Sequence, residues 1–135
     1  MEGDPLDEQA AEGTSSGGAA SSSTCVVTER WVDRTAVVAV SGVVDMLTSP
    51  QLETAINTAL DQKPAGVVID FTDVEFLASA GMGVLVAAHD KAGSEVSISV
   101  VADGPATSRP LKLVGIADII AMYPNLDEAL AARET

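Results

Sequence analysis

Cations are scarce in this chain: seven Lys and Arg stand against twenty Asp and Glu, a formal net charge of −13 over 135 residues. Neutralising a phosphate backbone or an anionic bilayer takes clustered Lys and Arg. The seven here are scattered, which argues against nucleic acid and anionic membrane as partners. Aromatic residues make up only 3% of the sequence while hydrophobic residues make up 47%. The core must therefore be built from Val, Leu, Ile and Ala. No apolar run approaches the ~20 residues that cross a bilayer. The acidic N-terminus also lacks the basic flank of a secretory leader. The expectation is a cytoplasmic protein with no membrane insertion. Cys25 is the single cysteine, which excludes an intrachain disulfide or a Cys-rich metal site. Its place at the start of an apolar run reads as a buried thiol.

Residues 1–24, MEGDPLDEQAAEGTSSGGAASSST, hold almost nothing that could enter a core. They read as a disordered acidic tail rich in Gly, Ser and Ala. Their five acids leave a net charge of −8 on residues 25–135, which read as one domain. In that domain CVVTERWV and TAVVAVSG are β-branched runs around Asp33-Arg34, the pattern of a hairpin. TSPQLETAINTALDQ has helical spacing behind Thr48 or Ser49 as N-cap, with Pro50 in the first turn, and predicts a helix over 49–62. GVVIDF reads as a central strand that ends at Asp70.

A second helix is predicted from Ser79 to Lys91, with Met82, Leu85, Val86 and His89 on its apolar face, Ser79 as its N-cap and Gly93 as its stop. SEVSISVVA then reads as a strand and ATSRPLKLVG as a short helix ended by Gly115. IIAMY reads as a last strand. NLDEALAARE reads as a final helix, with Asn125 and Glu128 at capping-box spacing. The order ββαβαβαβα predicts an α/β fold: a mixed sheet of about five strands with an antiparallel edge, packed with about four helices. In such folds ligands and partners dock at the carboxyl ends of the strands. Two polar loops fall there, GVVDMLTSP and FTDVEFLASAG.

Catalytic chemistry finds little support in those loops. His89, the only histidine, lies ten residues beyond Ser79 on the same predicted helix. At ~1.5 Å per residue the two are ~15 Å apart, too far for a nucleophile and its base. The glycines of GMG belong to no G-x-G-x-x-G or Walker pattern, so no phosphate cradle or cofactor is expected. Asp45, Asp70 and Asp73 could gather round a cation, but carboxylates on loops of an acidic chain usually cap turns or face water. Arg109 and Lys112 read as solvated helix residues.

Three segments in register carry a family resemblance. VSGVVDMLTSPQLETAI, VVIDFTDVEFLASAGMGVLVAAHDKA and PLKLVGIADII together resemble a STAS domain, and most closely the small bacterial anti-sigma factor antagonists. The resemblance implies a non-enzymatic partner switch. Such a protein binds an anti-sigma factor, which is often a serine kinase of the histidine-kinase-like ATPase type, and so releases a sigma factor. The kinase phosphorylates a serine in an Asp-Ser-Ser/Thr-Gly motif to break the complex, and a phosphatase restores it. That serine falls on Ser79, in the stretch Ala78-Ser79-Ala80-Gly81, where the preceding acid and the following hydroxyl are both replaced by alanine. Two other roles open to the same fold are an adaptor in a lipid or transport assembly and a weak nucleotide-binding module.

Read as chemistry, Ser79 can be a helix cap and a phosphate acceptor at once. A helix N-terminus presents free N–H groups and a positive dipole to an added phosphate. The expected partner-binding surface combines Asp45, Met46, Thr48 and Ser49 with Asp70, Thr72, Ala78, Ala80, Gly81 and Met82. The two glycines after Ser79 lower helix propensity by ~1 kcal/mol each relative to Ala. That cost points to a surface approached closely by a partner, or to tight helix-to-sheet packing.

Overall fold

The computed structural model describes residues 25–134. The expected acidic tail, residues 1–24, lies outside the described residues. β1 (Cys25–Val32) and β2 (Thr35–Val44) form the predicted hairpin, with Asp33 supplying the left-handed turn residue at φ 55°. There follow α1 (Ser49–Asp61), β3 (Gly66–Leu77), α2 (Ser79–Ala92), β4 (Ser97–Val101), α3 (Ser108–Leu113), a single 3-10 turn (Ile116–Asp118), β5 (Ala121–Tyr123) and α4 (Leu126–Glu134). The strands lie in the order β1-β2-β3-β4-β5; β1 is antiparallel to β2 and all other pairs are parallel.

Helices cover both faces of the sheet, which is why Val67, Val68 and Ile69 are all fully buried in one continuous run. One face packs Ala36, Val38, Val40, Ile69 and Phe71 against Leu52 and Ile56 of α1 and Leu85 and Ala88 of α2. On the other face, Ala129 of α4 closes over Val68 and Val101. The α4 capping box forms as expected: Glu128 N–H donates to Asn125 Oδ1 at 2.9 Å, and Asn125 Nδ2 donates back to Glu128 Oε2 at 3.2 Å.

Three expectations change. β3 does not end at Asp70; it continues to Leu77 and takes most of FTDVEFL into the sheet. Its pairing with β2 shifts register twice: Ala39 faces Asp70 but Ser41 faces Asp73, and Gly42 faces Val74 but Val43 faces Phe76. Each shift adds one residue to β3, as a β-bulge does. The core-facing residues are consequently Ile69, Phe71, Val74 and Leu77, with steps of two, three and three. Second, the buried face of α2 is Gly81, Leu85, Ala88 and Ala92, one position away from the expected stripe; Met82, Val86 and His89 sit at its half-buried margin. Third, β5 is only Ala121–Tyr123, because Ile119 and Ile120 close the preceding 3-10 turn.

Candidate functional site

The ends of β2 and β3 rise together beyond β4, whose pairing with β3 stops at Asp70 opposite Val101. At their tips Val44 pairs with Leu77, and the Ala78 N–H donates to the Val44 carbonyl at 2.8 Å. That bond sets the β2–α1 loop beside the first turn of α2. The loop is knotted by one carboxylate and one hydroxyl. Asp45 Oδ1 accepts from the N–H groups of Leu47 at 2.9 Å and Thr48 at 3.0 Å, while the Asp45 N–H donates to Thr48 Oγ1 at 2.9 Å. The Thr48 hydroxyl lies 2.8 Å from the Val43 carbonyl, to which it donates. Thr48 therefore occupies the N-cap of α1 without its side chain capping the helix; the hydroxyl holds the loop.

This folding-back expels two large apolar side chains. Met46 and Leu47 are 75% and 76% exposed. Phe76, one of only two phenylalanines in the sequence, is 54% exposed at the tip of β3. Adjacent Phe76 and Leu77 point to opposite faces of the strand, so burial of Leu77 sends Phe76 outward.

Ser79 is exposed on the same end of the molecule, but not as the N-cap. Ala78 holds that position in extended conformation, and Ser79 is the first helical residue. Its hydroxyl has no partner among the described residues. The first turn of α2 carries no acid, and an alanine N-cap leaves the terminal N–H groups without a side-chain acceptor. A negative group on Ser79 Oγ would meet that deficit directly.

The structure separates the expected contact residues into three sets. Met46, Ala78, Ala80 and Met82 are exposed or half-buried at the Ser79 end of the molecule, and Asp45 is half-buried in the same loop as Met46. Thr48, Ser49 and Gly81 are buried, so they shape this end from within. A Cβ built on Gly81 would lie 2.5 Å from Val44 Cγ1 and 2.8 Å from Leu77 Cδ1; this glycine exists to let α2 approach the sheet. Asp70 and Thr72 lie elsewhere. They sit at the first bulge, where Asp70 Oδ1 accepts from the Thr72 N–H at 2.9 Å and from its hydroxyl at 2.5 Å. Asp70 faces Ala39, five residues below Val44 on β2, or about 17 Å at strand spacing.

Phe76 and Gly83 were not expected at the site. Gly83 is exposed, and a Cβ there would meet nothing within 4 Å. No packing demand explains it. With Ser79 and Ala87 it makes the outward face of α2 a flat track, at the i, i+4, i+8 spacing of one helix face. The signal for Phe76 was present in the sequence, since two adjacent apolar residues on a strand cannot both enter one core.

Cys25 stands half-buried beside this loop. Burial pushes its thiol pKa up, and the Asp45 carboxylate adds to the rise against the opposing hydrogen bond from Thr48. His89 lies in the last turn of α2, and Arg109 and Lys112 are exposed on α3. Among the described residues, Asp45, Asp70 and Asp73 form no cluster able to hold a metal.

The STAS domain model matches residues 28–129, nearly all of the described fold. This chain belongs to the STAS domain family. The anti-sigma-F factor antagonist RsfB of Mycobacterium tuberculosis is 38% identical over 95 residues, which cover 70% of this chain and 78% of that relative. A crystal structure of an anti-sigma factor antagonist from Mycobacterium paratuberculosis superposes with a TM-score of 0.81 at 42% identity, covering 83% of this chain and 96% of that one. The Bacillus cell fate determinant SpoIIAA in its phosphorylated form shares the fold at a TM-score of 0.61 and 19% identity, covering 79% and 98% of the respective chains. Among the described residues of this STAS protein, no helix is long and apolar enough to cross a membrane.

Proposed function

We propose that this STAS protein is an anti-sigma factor antagonist: a regulatory binding protein that captures an anti-sigma factor and so releases a sigma factor. Its docking surface is the end formed by the β2–α1 loop, the tip of β3 and the first two turns of α2. The observation that carries this reading is the exposed, unbonded Ser79 hydroxyl at the same end of the sheet as exposed Met46, Leu47 and Phe76. Large apolar side chains held out by a rigid loop supply the contact area of an interface core. The partner's chemistry follows from the same residues: an apolar patch that lies flat against Ser79, Gly83 and Ala87.

Ser79 is the switch. A phosphate there adds about −1.5 to −2 charges and three acceptor oxygens in the middle of an apolar contact. Burying such a group without a partner costs more than the contact returns, so the complex dissociates. The fold tolerates the phosphate because it caps α2. A serine kinase adds it and a phosphatase removes it, at a serine preceded here by Ala78.

The test is a pull-down of the cell's anti-sigma factors with wild type, Ser79→Ala and Ser79→Glu. Capture by wild type and Ser79→Ala, and loss in Ser79→Glu, supports the switch. Equal capture by all three would remove Ser79 from regulation, and capture by none would remove the antagonist role.

A further inference from the structure

At the opposite end of the sheet, three of the seven Lys and Arg residues line one cleft of about 550 Å3: Arg34, Lys63 and Lys91. Its floor is apolar, made by Leu60, Pro64, Ala92 and Val96, and Glu95 is the one acid in the lining. Few acceptors engage these cations. Arg34 spends one N–H on the Lys63 carbonyl at 3.4 Å, and Lys91 contacts Asn57 Oδ1 at 3.2 Å and Asp61 at a loose 4.0 Å. Lys63 also sits at φ 56°, a left-handed position after α1 that glycine would occupy without strain. In a chain of net charge −13, the lining of this cleft carries three cations against one acid, with Asp61 beside Lys91 at its edge.

We propose that this cleft is the docking site of the chain's own N-terminal segment Asp4-Pro5-Leu6-Asp7-Glu8. The segment places an apolar pair between three acids, the complement of an apolar floor rimmed by cations. Residues 1–24 carry five acids and no Lys or Arg.

The reach is also matched. The described chain begins at Cys25, at the far end of β1 from Arg34, and the eight residues of β1 span about 26 Å. Residues 9–24 are Gly, Ser and Ala-rich, and a linker of that length and composition has a root-mean-square span of about 20–24 Å. Effective concentration is greatest when linker and span agree, so a weak contact suffices. Docked there, the acidic segment is held away from the Ser79 end, beside which it would otherwise emerge.

The test uses the full chain with a nitroxide on Ala10→Cys in a Cys25→Ser background. Intramolecular broadening of the amides of Arg34, Lys63, Ala65, Lys91 and Val96 is expected, lost in 0.5 M NaCl and in Lys63→Glu. Chemical-shift changes at the same amides are expected in the Asp4→Asn/Asp7→Asn/Glu8→Gln variant without the label. Three results would overturn the proposal: broadening confined to the Ser79 end, broadening that disappears on dilution with unlabelled chain and so reports a second copy, or cleft shifts on adding inorganic phosphate with none from the tail variant. None of these depends on an anti-sigma factor being present.

Discussion

Gly81 and Val44 are packed so closely that a single methyl group on Gly81 would overlap Val44 Cγ1 at 2.5 Å. Val44 is fully buried and β-branched, so its χ1 has little freedom to yield. Gly81→Ala should therefore destabilise the fold by about 1–2 kcal/mol despite the ~1 kcal/mol gained in helix propensity. Gly83→Ala, with open space around it, should stabilise by up to ~1 kcal/mol. Urea unfolding of the two variants checks both signs, and two changes of the same sign would contradict this division of roles.

Thr48 should matter for the loop rather than for the helix it precedes. Thr48→Val keeps the shape but leaves the Asp45 N–H and the Val43 carbonyl without their shared hydroxyl, at a cost of about 1–3 kcal/mol. Thr48→Ser should recover most of it. Amide hydrogen exchange should locate the loss at residues 43–48, with α1 itself remaining protected.

The Cys25 thiol gives a pH signature. Burial and the Asp45 charge hold its pKa above the ordinary value in the folded chain. The folded chain thus keeps this proton to a higher pH than the unfolded chain does. Its contribution to stability is complete below the unfolded pKa, near 8.5, and is lost as pH rises through the folded pKa. Iodoacetamide should accordingly alkylate Cys25 more slowly in the native protein than in urea at pH 8.5, and Asp45→Asn should narrow the difference.

Ser79→Glu places a negative charge in the first turn of a helix that has none. The macrodipole should make this neutral to stabilising by about 0.3–1 kcal/mol. A thermal melt reads it directly; a fall in Tm of several degrees would mean that Ser79 is held by contacts the phosphate would break.

The element order, the hairpin, the Asn125–Glu128 cap and the edge position of β1 are legible in the sequence because each rests on local periodicity or capping. β3 beyond Asp70 is not. Its two bulges change the apolar step from two residues to three, and FTDVEFL then looks like a loop. The same bulges move Asp70 and Thr72 away from the site, since the strand continues upward past them. Ser79 reads as the N-cap because serine is a preferred cap. The chain uses Ala78 instead, which leaves the hydroxyl free for other chemistry. The exposure of Met46 and Leu47 is invisible to periodicity, because only the knotted loop decides that these side chains point outward.

The central claim concerns what a phosphate on Ser79 does to binding while the fold is kept. Calorimetric titration of the anti-sigma factor into unphosphorylated and stoichiometrically Ser79-phosphorylated protein, paired with thermal melts of both, separates the two effects. The account predicts at least a tenfold weaker Kd for the phosphorylated form, about 1.4 kcal/mol, with an unchanged or higher Tm. Equal affinity of the two forms would contradict it.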